Sequence, residues 1–168
     1  MKMAKKGDSK NDEICIRKVT ASDARAIKNI LKITPEFNKG DYLTCMECLD
    51  AYYDGLPNYA FICAEEAGHI IGFICFDKCE IAKDVYEVYW IVVTEESRRK
   101  GVAKILHDSF LDFVRRKHAR AVFIETESCQ AYASAQRFYE KCGYKEVARV
   151  KDFYDIGNDK VIYGLHIA

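Results

Sequence analysis

Residues 85–113 read VYEVYWIVVTEESRRKGVAKILHDSFLDF, and the change of period inside this stretch decides the fold. Tyr86 to Val93 is a run of β-branched and aromatic side chains, the composition of a buried central strand. From Lys100 to Lys117 the apolar residues instead recur at 102, 105, 106, 110, 113 and 114, one stripe of an amphipathic helix. A strand thus runs into a long helix through a short loop carrying Arg98-x-x-Gly101-x-Ala103.

That spacing suits an anion. The first turn of a helix has backbone N–H groups without intrahelical partners, at the positive end of the helix dipole. Gly101 brings no side chain and Ala103 only a methyl group, so a pyrophosphate can come close to the backbone, while Arg98, Arg99 and Lys100 add local positive charge.

Outward from this unit, the rest of the chain reads as alternating elements. Ile14, Ile16 and Val19 suggest a first strand, and Ser22 with Asp23 can cap a helix bearing Ala26, Ile27, Ile30 and Leu31. Asp41 to Tyr53 places Leu43, Met46, Leu49 and Tyr53 at helical spacing, stopped by Gly55 to Pro57. Tyr59–Glu65 and Ile70–Phe76 should form an antiparallel hairpin around Ala67-Gly68-His69. Further strands are expected at Ala121–Thr126, 144–150 and 161–166, with a helix over about Tyr132–Lys141. The class is α/β (α+β): a mixed, mostly antiparallel sheet of about seven strands flanked by about four helices.

The 168 residues, 49% hydrophobic and 31% charged, suit one domain with one sizeable core. Residues 1–12, MKMAKKGDSKND, are polar and lysine-rich and read as a mobile arm, leaving 13–168 for the domain. The 26 basic residues balance the 26 acidic ones, so no long-range field favours nucleic acid or an anionic membrane, and any anion must be bound by local geometry. The longest apolar stretch, Val88–Val93, is far short of a bilayer span, so a soluble protein is expected. Eight irregularly spaced cysteines, with no apolar signal segment before the fold, read as reduced thiols in a cytoplasm. Cys45 and Cys48 have only Cys75 and Cys79 as a possible second zinc pair, and His69, His107, His118 and His166 show no metal-ligand spacing, so no metal is expected.

A second string, AQRFYEKCGY at 135–144, completes the pattern. The quoted 85–113 stretch resembles the central acetyl-CoA motif of the GNAT superfamily of N-acetyltransferases, whose pattern is Gln or Arg, two residues, Gly, one residue, Gly or Ala. The 135–144 string resembles the superfamily's alanine, apolar residue, Tyr-Glu-Lys and Gly-aromatic sequence. The likeness is close over about 85–145 and follows the element order over roughly 14–167. One position departs from it: many members carry an asparagine seven residues before the tyrosine, where this chain has Tyr132.

The resemblance implies a GNAT-like fold and acetyl-CoA as acetyl donor. The cofactor would lie along Ile91, Val92 and Val93, over Arg98, Arg99, Lys100, Gly101, Val102, Ala103 and Lys104, and against Ser134 and Arg137. It also implies a bulge near Val92 or Val93 that frees an amide for the oxyanion, and Tyr139 as proton donor to the departing thiolate. A phenol suits that task, being protonated at neutral pH. Glu87, set in an apolar strand where desolvation should raise its pKa, is the candidate general base, and some members carry a catalytic glutamate at this offset from the glycine. Tyr86, Tyr89, Trp90, Phe153 and Tyr154 could line an acceptor pocket, and the run DFYDIGND from Asp152 reads as a loop whose Asp152 and Asp155 could receive a cationic amine. The implied activity is direct acetyl transfer to a primary amine of a small molecule or peptide; the alternative is a catalytically silent acyl-CoA-binding module. Whether two copies pair as a homodimer stays open at this level.

Overall fold

The computed structural model describes residues 13–56 and 59–167; the lysine-rich arm and Pro57 lie outside them. In chain order the elements are β1 (Cys15–Lys18), α1 (Ala24–Ile33), α2 (Lys39–Tyr53), β2 (Ala60–Glu66), β3 (His69–Lys78), β4 (Val85–Val93), α3 (Val102–Arg116), β5 (Ala121–Glu127), α4 (Ala133–Lys141), β6 (Lys145–Asp155) and β7 (Asn158–His166). The seven strands form one sheet in the order β1-β2-β3-β4-β5-β7-β6. Every neighbouring pair is antiparallel except β4 and β5, which are parallel and joined by the α3 crossover that such a pair requires.

Alternation along the strands sends side chains into two cores. On one face Ile74, Phe76, Val88 and Ile124 meet Val102, Leu106, Phe110 and Val114 of α3 and Tyr139 of α4. On the other, Phe61, Cys63, Phe73 and Cys75 meet Ile27, Ile30 and Leu31 of α1 and Cys45, Cys48 and Leu49 of α2. Gly72 sets how closely α3 seats: a Cβ there would stand 2.8 Å from the Val92 carbonyl oxygen and 3.3 Å from a Leu106 methyl.

The elements follow the sequence expectation with three differences. The buried stripe of α2 runs through Cys45, Cys48 and Leu49, leaving Leu43 exposed, and the helix starts before Asp41, with Asn38 as its cap accepting from the Gly40 and Asp41 amides. The cysteines therefore serve as small core hydrophobes, and burial pushes the Cys45, Cys48, Cys63 and Cys75 thiols up in pKa. Third, the expected DFYDIGND loop is mostly strand: β6 runs to Asp155 and the reversal is confined to Ile156 and Gly157, the latter at φ 80°. No helix among the described residues is long and apolar enough to cross a membrane.

Candidate functional site

β4 pairs with β5 only over Val85–Val88 against Ala121–Ile124. Beyond that, β4 stays with β3 as far as Val93, and β5 stays with β7 as far as Glu127, so the two strands part company. The split opens a cleft of about 1230 Å³ that passes between the sheet's two faces, with α3 and α4 on one side and the α1–α2 connection on the other.

A bulge in β4 marks the start of the split. Val88 pairs with Phe76 and Trp90 with Cys75, so Tyr89 is an extra residue without a partner on β3. The bulge expected near Val92 or Val93 is thus three or four residues earlier, where pairing to β5 ends; from Trp90 to Val93 the register against β3 is unbroken. Its effect is to reverse the alternation. Tyr86 and Val88 belong to the α3-side core, but after the bulge Trp90 and Val92 belong to the α1/α2 side.

The ladder also identifies the free amides. Thr94 N–H donates to the Ile71 carbonyl at 2.9 Å. By antiparallel alternation the amides of Val92 and Trp90 also point to β3, and those of Ile91 and Val93 point into the split, where β5 no longer answers them. Of the two residues considered for the oxyanion amide, Val93 has the right direction and Val92 does not.

The loop before α3 turns sharply through two left-handed residues. Arg99 (φ 64°) and Gly101 (φ 84°) both adopt the conformation from which concave nests of backbone amides are built. Space around Gly101 is open, with nothing within 4 Å of where a Cβ would stand. Arg98, Arg99, Gly101, Val102, Ala103 and Lys104 all line the cleft, as do Ile91, Val92, Val93 and Ser134. Two expected residues do not. Lys100 is exposed at the top of the turn, and Arg137 lies about 200° around α4 from the cleft-lining Ala135 and Tyr139. The Arg98 guanidinium is directed away from the nest, giving Nη1 and Nη2 to the Glu36 carboxylate at 2.8 and 2.9 Å and Nε to the Val93 carbonyl at 3.5 Å. That pairing holds the Glu36 carboxyl below the usual carboxylate range.

Tyr139 lies on the cleft wall formed by α4, 9% exposed and packed against Phe138, Tyr144 and Tyr163. Burial pushes its phenol well above the ordinary tyrosine value, so it stays protonated. Tyr132, at the asparagine position, donates its hydroxyl to the Glu36 carbonyl at 3.0 Å.

On the α1/α2 side the lining is acidic: Glu36, Asp41, Glu87, Glu125 and Glu127. Most are committed elsewhere. Asp41 accepts from the Asn38 amide at 2.9 Å, Glu125 pairs with Lys160 at 2.6 Å, and Glu127 accepts from Asn158 at 2.6 Å. Glu87, half-buried, has the loosest engagement, a 3.4 Å contact from the Tyr89 hydroxyl. Tyr89, Trp90 and Tyr154 join this lining, whereas Tyr86 is in the α3-side core and Phe153 lies under the Lys160 ammonium at 4.5 Å. Asp152 and Asp155 do not face the cleft; their carboxylates accept from the Gly157 and Ile156 amides, both at 2.7 Å, and build the hairpin tip. The acidic lining was readable in part, since Glu125 and Glu127 share one face of a strand at period two. Glu36 carries no local signal, because its partners are 62 and 96 positions away.

Among the described residues no group of three or more His, Cys, Asp or Glu could hold a metal ion. The model of the acetyltransferase (GNAT) family matches residues 26–144. No curated protein matches the chain. Among solved structures, a protein assigned to the GNAT acetyltransferases from Desulfovibrio desulfuricans superposes with a TM-score of 0.87 at 29% identity, covering 93% of this chain and 100% of its own. The ribosomal-protein-S18-alanine N-acetyltransferase of Escherichia coli gives 0.76 at 18% identity, with 93% and 95% coverage. A Salmonella typhimurium structure solved with its cofactor acetyl-CoA gives 0.73 at 19%, with 94% and 95% coverage. At those lower identities the likeness is one of fold.

Proposed function

We propose that the chain, which belongs to the GNAT family of acetyltransferases, moves the acetyl group of acetyl-CoA directly to a cationic primary amine held at the acidic end of the cleft. The observation that carries this reading is the strand split at Val88, which gives one cleft both the amide nest of the α3 loop and the carboxylates of the opposite face.

The nest residues Arg99 to Ala103 fit a pyrophosphate, which their backbone amides and the open space at Gly101 can receive without side-chain interference. The acceptor enters from the acidic side as an ammonium, attracted by Glu87 and by Glu127, whose amide partner Asn158 leaves its charge uncompensated. The same negative field disfavours the neutral amine, so a base is required. Glu87 takes the proton, directly or through a water, and the freed lone pair attacks the thioester carbonyl carbon. As the carbon–nitrogen bond forms, the Val93 or Ile91 amide donates to the carbonyl oxygen. As the carbon–sulfur bond breaks, Tyr139 protonates the thiolate; the second proton, left on the nitrogen by the attack, passes through water to the Tyr139 phenolate, and Glu87 releases its proton to solvent. The products are an N-acetyl amide and coenzyme A thiol.

All eight cysteines are free thiols, which suits a reducing compartment such as the cytoplasm. The test is a panel of diamines, polyamines, aminoglycosides, amino acids and peptide N-termini with acetyl-CoA, read as release of free CoA thiol. Turnover confined to multiply cationic amines is the expected result. Preference for neutral or acidic acceptors would overturn the acceptor class, and CoA binding without turnover of any amine would overturn the transfer.

A further inference from the structure

Glu36 joins three parts of the cleft that are distant in sequence. It lies in the α1–α2 connection, which belongs to the acceptor face. Its carboxylate takes both terminal nitrogens of Arg98, the first residue of the donor loop, and its carbonyl takes the hydroxyl of Tyr132, which stands just before α4 on the β5 side. The 34–38 segment therefore spans the mouth of the split like a strap anchored on both walls. Phe37 and Asp41, next to it, line the cleft.

We propose that Glu36 is a positioning residue that couples the two halves of the site: filling the nest fixes Arg98, and Arg98 through Glu36 fixes the strap that roofs the acceptor end. The coupling presupposes that the nest is the acetyl-CoA site. Its physical basis is ordering entropy. A bidentate ion pair between partly exposed side chains gives back little of what it costs to immobilise both partners. When a ligand has already ordered the 98–103 backbone, that part of the cost is met, and the pair tightens. Arg98 is free to do this because its three donor nitrogens face Glu36 and Val93 rather than the nest, leaving amides and Arg99 to meet phosphate.

Hydrogen–deuterium exchange on the full chain with and without saturating coenzyme A tests the coupling. In the wild type, coenzyme A should slow exchange at 98–103 and, by about fivefold or more, at 33–42. Glu36→Gln should keep the first effect and lose the second, and Tyr132→Phe, which leaves the ion pair whole, should weaken the second. With the best amine of the panel, Glu36→Gln should raise the amine KM about fivefold while kcat stays within about twofold. Undiminished protection of 33–42 in Glu36→Gln, or none in the wild type when 98–103 is protected, overturns the coupling. Absence of protection at 98–103 in the wild type would overturn the donor site itself, and the coupling with it.

Discussion

Glu87 and Trp90 lie on the same face of β4, although an odd separation of three would put them on opposite faces of a regular strand. The extra residue Tyr89 makes the difference, and it places a carboxylate and an aromatic surface together on the acceptor side where β4 leaves β5. Glu87→Gln keeps the size and removes the base. It should lower kcat with acetyl-CoA and the best amine of the panel by roughly 100-fold near neutral pH, with coenzyme A affinity within about twofold. Calorimetric titration and steady-state rates measure the two separately; a kcat within threefold or so of wild type would remove Glu87 from the chemistry.

Tyr139 provides a pH test with a definite sign. An acid must hold its proton to give it, and burial raises this phenol above its ordinary value of about 10. The donor form therefore persists to higher pH than in a free tyrosine. Tyr139→Phe should lower kcat by about 10- to 1000-fold at a ratio that stays constant from pH 7 to 10, since Tyr139 does not titrate in that window. A ratio that closes steadily over that range would mean that the phenol loses its proton there and that burial does not hold it.

Gly101 separates stability from binding. Alanine at φ 84° costs about 1–2 kcal/mol of backbone strain, and no neighbouring atom adds a clash. The added methyl nevertheless occupies the space through which a phosphate would approach the amides. Gly101→Ala should lose about 1–2 kcal/mol in urea unfolding but at least about tenfold in coenzyme A affinity. Coenzyme A affinity within about twofold of wild type would assign Gly101 to the turn alone.

What the sequence made legible was local. The strand, loop and helix of 85–116 announce themselves through a change of period, and the nest residues through small side chains at a helix start. The bulge at Tyr89 was not legible, because it lies where pairing to β5 stops, and β5 comes 32 or more residues later in the chain at Ala121–Ile124. Nor was the Arg98–Glu36 pair, since a single glutamate in a connection looks like any solvated charge until the fold brings it across the cleft. The Asp152 and Asp155 carboxylates misled in the opposite way: an acidic, aromatic run resembles a binding loop, but its acids are consumed by the amides of its own turn.

His107 ties the stability of the fold to pH. It is 1% exposed between α3 and α4, with Nε2 3.1 Å from the Tyr144 hydroxyl and Nδ1 unpartnered. Burial is the main cause that lowers its pKa from 6.5 to about 4, with Lys104 and Arg115 acting in the same direction; Asp108, 3.7 Å from Nδ1 and half-exposed, opposes them. The folded value is depressed, so the neutral ring stabilises the fold above the unfolded value near 6.5. As pH falls from about 6.5 towards 4, the unfolded chain takes up a proton that the folded chain refuses, and stability is lost by up to roughly 3 kcal/mol. His107→Gln keeps a donor within reach of Tyr144 and does not titrate. Its own stability at pH 7 should be lower, because a smaller side chain fills the site, but its decline from pH 6.5 to 4 should be shallower than wild type. Carboxylates such as Asp23 and Glu36, which also lose favourable pairing in acid, contribute equally to both proteins, so the difference between the two urea-derived slopes isolates the histidine. Parallel slopes would mean that the ring gains a proton inside the fold without penalty, and that α3 and α4 do not hold it dry.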